Sequence, residues 1–129
     1  MAQIYDVVKN RKTLAVDVGH SVLEAARFMT ENNVGAVPVL RDGELVGIFS
    51  ERDLMRRVVA AGRSPGLTKV AEVMTANPRT VSANESVENC LFLMQEHGFR
   101  HLPVCEGRKL MGVVSLRDLA LRKDKGSAA

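Results

Sequence analysis

The sequence predicts an α/β (α+β) chain: two β-α-β-β-α units packed sheet to sheet with pseudo-two-fold symmetry. Three observations predict it. The 129 residues match themselves at an offset of 65 without a gap, Gln3–Leu54 lying over Thr68–Leu119. Each copy carries one helical stripe of apolar residues, then two short apolar runs around a polar turn. A unit of about 50 residues buries too little surface to stand well alone, so the two copies are expected to share a core and to form two related clefts at their junction.

Each copy opens on a short helix and strand, around Ile4–Lys9 with Leu14–Val16, and around Val70–Met74 with Thr80–Val81. Ser21-Val-Leu-Glu24 is a capping-box signature that starts the main helix. Val22, Ala25, Ala26 and Met29 follow on one helical face, and Val87, Cys90, Leu91 and Met94 repeat it behind Ser86, with Asn89 in place of the glutamate. Strands follow at Ala36–Leu40 and His101–Cys105. The turns Arg41-Asp-Gly-Glu44 and Glu106-Gly-Arg-Lys109 lead into partner strands at Leu45–Phe49 and Leu110–Val114. Ser50 and Ser115 begin a second helix. The densest identity lies here: Gly47-Ile-Phe-Ser-Glu-Arg-Asp-Leu54 over Gly112-Val-Val-Ser-Leu-Arg-Asp-Leu119, five of eight pairs being identical. The boundaries are a first repeat over 1–61, a Gly- and Pro-bearing linker over 62–67, a second repeat over 68–121 and a flexible basic tail over 122–129.

Composition narrows the function. With 46% apolar and 26% charged residues the chain is an ordinary globular protein. No apolar run approaches the roughly 20 residues of a membrane span, and the first residues do not read as a secretory signal; cytoplasmic localisation is expected. The net charge of +3 owes part of its excess to Arg122, Lys123 and Lys125, read as a solvated end rather than a nucleic-acid arm. Four Phe, one Tyr and no Trp leave few platforms for stacking bases. Cys90 and Cys105 read as small buried hydrophobes, not as a metal or redox pair.

No Walker loop and no Gly-x-Gly-x-x-Gly fingerprint is present. His20, His97 and His101 form no triad, and His97 and His101 straddle a helix end, so no metal site and no catalytic residue is expected. What remains is the repeated Gly-x-x-Ser-x-Arg-Asp. One reading is structural: Ser50 and Ser115 as N-caps, Asp53 and Asp118 as acidic partners one turn in. The other is binding: a carboxylate placed there can accept both hydroxyls of a ribose. The Ser hydroxyl, Arg52 or Arg117, and the helix N-terminus can meet phosphate oxygens. The two readings are compatible.

At these residues the chain resembles the CBS domains, named from cystathionine β-synthase, whose tandem pair is called a Bateman module. The resemblance spans about residues 3–121 and rests on Gly35-Ala-Val-Pro-Val39, Phe99-Arg-His-Leu-Pro-Val104, Val73-Met-Thr75 and the two Gly-x-x-Ser-x-x-Asp segments. It implies that Asp53 and Asp118 hold a ribose, with Ser50 and Ser115 near ribose or phosphate. It implies base contacts from the strand entries, residues 34–37 in one copy and 99–102 in the other, with Gly35, Ala36, Val37 and Pro38 and Arg100, His101, Leu102 and Pro103 among the nucleotide-binding residues. Thr75, Asn77 and Thr80 would line the cleft as well. Arg100 and His101 replace Gly35 and Ala36, so the second cleft is expected to favour phosphate; the competing role for Arg100 is a surface pair with Glu96. Arg56 and Arg57 are further basic candidates, the alternative being two solvated side chains.

The implied function is a non-enzymatic ligand sensor for AMP, ATP, NAD or S-adenosylmethionine, homodimeric. Because the repeats fill the chain, it is expected to act in trans on an unidentified regulated protein. The alternatives are a ligand-free dimerisation scaffold and, behind it, a nucleic-acid binder suggested by the pI of about 9.1.

Overall fold

The computed structural model describes residues 2–120; the basic tail expected at 122–129 lies outside them. In chain order the elements are α1 (Ile4–Val8), β1 (Val16–Asp17), α2 (Val22–Asn32), β2 (Ala36–Arg41) and β3 (Glu44–Ser50). Next come α3 (Glu51–Asp53), which continues in π-helical winding over Leu54–Val59, then α4 (Val70–Val73) and β4 (Thr75–Ala76). The remainder is β5 (Val81–Ser82), α5 (Val87–His97), β6 (His101–Glu106), β7 (Lys109–Ser115) and a final helix, α6, over 116–120. No helix among the described residues is long and apolar enough to cross a membrane.

Two compact units emerge, and they are assembled across the repeat boundaries. One is Leu14–Pro78; the other joins, among the described residues, 2–13 to 79–120. The lead-in of each repeat therefore packs in the unit that holds the other repeat's hairpin.

In the Leu14–Pro78 unit, β1 lies parallel to β2 with Val16 opposite Val39. The strands β2 and β3 form an antiparallel hairpin, and β4 adds antiparallel to β3 with Gly47 opposite Ala76. Asp42 (φ 52°) and Gly43 (φ 81°) turn the hairpin, the two consecutive left-handed residues that a type I′ turn needs. The capping box forms as the sequence predicts: Glu24 N–H donates to Ser21 Oγ and Ser21 N–H to Glu24 Oε1, each at 3.0 Å. Of the predicted stripe, Val22, Ala25 and Met29 are buried against Val37, Val39 and Phe49, with Val58, Val70 and Val73 completing the core, while Ala26 is part-buried.

In the other unit, Ile4 and Val8 of α1 are buried with Val87, Cys90, Leu91 and Met94 of α5 and with Leu102, Val104, Val114 and Leu119. The Ile4 N–H donates to the Glu85 carbonyl at 2.7 Å and the Tyr5 N–H to that of Ala83 at 2.8 Å, which fixes α1 beside the start of α5. Strand β5 is parallel to β6 and β6 antiparallel to β7.

The motif glycines admit the exchanged lead-ins. A Cβ on Gly47 would sit 3.0 Å from Met74 Cγ and from the Thr75 carbonyl oxygen, and one on Gly112 would sit 3.1 Å from Val8 Cβ and Cγ1. A side chain at Gly47 would collide with Met74 and crowd the Thr75 carbonyl, and one at Gly112 would need Val8 to give way slightly.

Candidate functional site

In the Leu14–Pro78 unit, Ser50 caps the helix as the structural reading expects. Asp53 N–H donates to Ser50 Oγ at 3.2 Å, while Ser50 N–H and Oγ–H donate to Asp53 Oδ2 at 3.0 and 3.1 Å. The other oxygen, Oδ1, accepts from Thr75 Oγ1 at 3.3 Å and faces Arg57 Nε at 3.7 Å. Arg57 is itself fixed, since its Nη1 donates to the Val73 and Met74 carbonyls at 3.4 and 2.9 Å. Asp53 is 6% exposed, so both its oxygens are engaged inside the protein.

The second motif is built alike and finished differently. Ser115 N–H donates to Asp118 Oδ2 and Asp118 N–H to Ser115 Oγ, at 2.9 and 3.0 Å. The outer partner is Arg11, whose Nη1 lies 2.9 Å from the same Oδ2, with the side chains 43% and 29% exposed. Asp118 Oδ1 takes part in neither bond. Burial pushes the Asp118 carboxyl up, but the bonds from Arg11 and Ser115 outweigh it and hold the group below its ordinary value.

The strand starts are brought to the motifs in both units. Glu51 N–H donates to the Gly35 carbonyl at 3.0 Å, and Leu116 N–H to the Arg100 carbonyl at 2.8 Å. Across the hairpins, Ala36 pairs with Ser50 and His101 with Ser115. Val37, Pro38, Leu102 and Pro103 are buried, which leaves chiefly their backbone for contact. Arg52, Arg100 and Arg117 are exposed, and Arg100 forms no ion pair with Glu96. Asn77, in the left-handed region at φ 50°, donates its N–H to the Val46 carbonyl at 3.1 Å; Thr80 is exposed just before β5. Val34, Gly35, Glu51 and Leu54 line a groove of ≈ 370 Å³ together with Ala26 and Met29 of α2.

Arg11 is the residue that sequence reasoning missed. The 65-residue offset carries a signal for it: Thr75 and Asn77 lie over Asn10 and Lys12, so the segment taken as cleft-lining in one copy points to 10–12 in the other. Of the histidines, His97 stacks on Phe99 with ring centroids 5.4 Å apart, and His20 Nδ1 accepts the Asp17 N–H at 2.9 Å. Among the described residues no three His, Cys, Asp or Glu side chains gather as metal ligands would.

A family model described as CBS domain matches residues 4–60 and 70–123. The CBS domain-containing protein YhcV of Bacillus subtilis is 35% identical over 129 residues, which covers 100% of this chain and 91% of that protein. Among solved structures, a protein with CBS domains from Burkholderia ambifaria aligns with a TM-score of 0.88 at 35% identity, over 95% of this chain and 93% of that one. The CBS domain pair of protein MJ0100, solved in complex with 5′-methylthioadenosine and S-adenosyl-L-methionine, aligns with a TM-score of 0.85 over 98% of each chain. Its 23% identity makes that a likeness of fold.

Proposed function

The chain belongs to the CBS-domain family, and from that premise we propose that it is a regulatory module. In this reading it senses an adenosine-containing ligand such as AMP, ATP, NAD or S-adenosylmethionine, and signals to a separate protein. One observation carries the reading. The duplicated motif sets a carboxylate one turn into a helix, beside a strand start whose carbonyl is tied to that same helix, and at Asp118 the carboxylate is part-exposed with Oδ1 outside the capping bonds. A carboxylate in that setting suits a ribose diol. The tethered strand starts, Gly35–Pro38 and Arg100–Pro103, would supply backbone and apolar contacts to the base, and Ser50, Ser115, Arg52 and Arg117 would stand near ribose and phosphate. Thr75, Asn77 and Thr80 belong to the same proposed lining. The groove beside Gly35 falls in the size range of small-molecule sites. The MJ0100 pair gives support by fold, since it holds two adenosine-based ligands.

A ligand shifts a module between two arrangements only as far as its affinities for them differ, so binding is the first thing to measure. Thermal melts with AMP, ADP, ATP, NAD, GTP and S-adenosylmethionine should pick out an adenosine-based ligand. At a hundredfold its Kd that ligand stabilises by ~2.7 kcal/mol, and the shift should shrink in Asp118→Asn. If no nucleotide moves the melt, the chain is a ligand-free scaffold. We place a homodimer in the same reading: Met55 and Val59, 58% and 66% exposed on the helix behind Asp53, offer apolar surface for a second copy to cover.

A further inference from the structure

We propose that Arg11 selects the ligand of the Asp118 motif: its guanidinium holds the carboxylate until a phosphate group draws it off, so the site takes phosphorylated nucleosides in preference to unphosphorylated ones. The inference rests on the binding reading above and adds to it a selecting residue from outside the motif.

The backbone around Arg11 is tied down, and its side chain ends near the surface. Arg11 N–H donates to the Val8 carbonyl at 3.0 Å, and Thr13 Oγ1 donates to the Met111 carbonyl at 3.3 Å. The backbone is thus tied down on both sides, and the guanidinium at its end is 43% exposed. Its one bonded partner among the described residues is Asp118 Oδ2 at 2.9 Å. A long side chain on a fixed backbone, paired near the surface, can exchange one anion for another at small cost.

A ribose diol that engages both carboxylate oxygens competes with the guanidinium for Oδ2, which already accepts from Ser115 N–H and from Arg11. A neutral nucleoside that takes Asp118 leaves Arg11 without its anion. A nucleoside phosphate brings a replacement, and a phosphate can accept from a guanidinium through two parallel N–H bonds. Carboxylate to diol and guanidinium to phosphate then leaves every charge partnered.

The other motif lacks this device. At the offset of 65, Ala76 stands in the place of Arg11. The arginine beside Asp53 is Arg57, which the Val73 and Met74 carbonyls hold in place. Selection by phosphate is therefore assigned to the Asp118 motif alone.

The test is an amide-resolved NMR titration of the full chain with AMP and with adenosine, followed at the Ser115 and Asp118 N–H groups, in the wild type, Arg11→Gln and Asp118→Asn. AMP should bind the wild type more tightly than adenosine. In Arg11→Gln that preference should fall by about tenfold or more, the scale of one hydrogen bond to a charged group, while adenosine binding holds or tightens. An unchanged AMP-to-adenosine ratio in Arg11→Gln, with both ligands lost in Asp118→Asn, overturns the role of Arg11 and leaves the binding reading standing. If neither ligand moves these amides in the wild type, both fall.

Discussion

Alanine at Asp53 and alanine at Asp118 should have unequal costs, although the two residues occupy the same place in the repeat. Asp53 is 6% exposed and accepts from Ser50 N–H, Ser50 Oγ and Thr75 Oγ1. Its removal deletes a helix cap partner, worth about 0.5–2 kcal/mol. It also strands part-buried donors and the fixed Arg57, at about 1–3 kcal/mol, so a loss of about 2–4 kcal/mol is expected. Asp118 gives up the Ser115 N–H and an ion pair to an exposed arginine; such pairs are worth about 0–1 kcal/mol, and the total should stay near 1 kcal/mol. For a chain of this size Tm should drop by roughly 10 °C in Asp53→Ala and roughly 4 °C in Asp118→Ala. Asp53→Asn, which keeps one acceptor oxygen, should recover part of the difference. Circular dichroism melts at one protein concentration and without ligand would measure all three. Equal drops, or a larger one in Asp118→Ala, would show that the contacts of Asp53 do not carry the load assigned to them.

Two further expectations concern titration. Asp118 is lowered on folding because, although burial raises it, the bonds from Arg11 and Ser115 outweigh that effect. A lowered carboxyl adds stability above its unfolded pKa of about 3.9 and loses that contribution as pH falls through the folded value. Asp118→Asn should therefore flatten the fall of the urea midpoint below about pH 4 while leaving the neutral region parallel to wild type; an unaltered acid slope would count against the assignment. Burial, helped by Glu85, pushes the Cys90 thiol up to about 11, and burial raises Cys105 as well. Both should stay silent to dithionitrobenzoate in the native protein and react once it is unfolded in guanidinium, since the thiolate is the reacting form. Prompt reaction of the folded protein would contradict their burial.

The parts of the fold legible in the sequence are those in which a residue's environment is set by near neighbours. Val22, Ala25 and Met29 announce a helical face by spacing, and Ser21 with Glu24 closes its own box within one turn. Asp42-Gly43 supplies the two left-handed residues of its turn. Ser50 and Asp53 bond across three positions, so their capping role could be read directly. The exchange of lead-ins could not, because Arg11 meets Asp118 across 107 positions; its near neighbours do not distinguish it from a solvated arginine, and only the offset of the repeat points to its segment. Arg57 was ambiguous for a related reason: its partners at Val73 and Met74 are backbone carbonyls, which no side-chain pattern reveals. The π winding over Leu54–Val59 has no local signature either.

Duplication with exchanged lead-ins also explains how one motif can serve two ends. Ser50–Asp53 and Ser115–Asp118 make the same reciprocal cap, so capping alone holds both copies to serine and aspartate. What separates them arrives from outside the motif. The Asp53 motif receives Thr75 and, through its own helix, a pinned Arg57; the Asp118 motif receives Arg11. A substitution at Arg11 is thus felt at Asp118, in the unit of the second repeat, while the bonds of Asp53 come from other residues. The glycines at 47 and 112 leave room for the lead-ins to approach closely, Met74 and Thr75 beside one and Val8 beside the other. One copy then has a carboxylate with both oxygens engaged inside the protein and the other a part-exposed one, with the four capping residues unchanged.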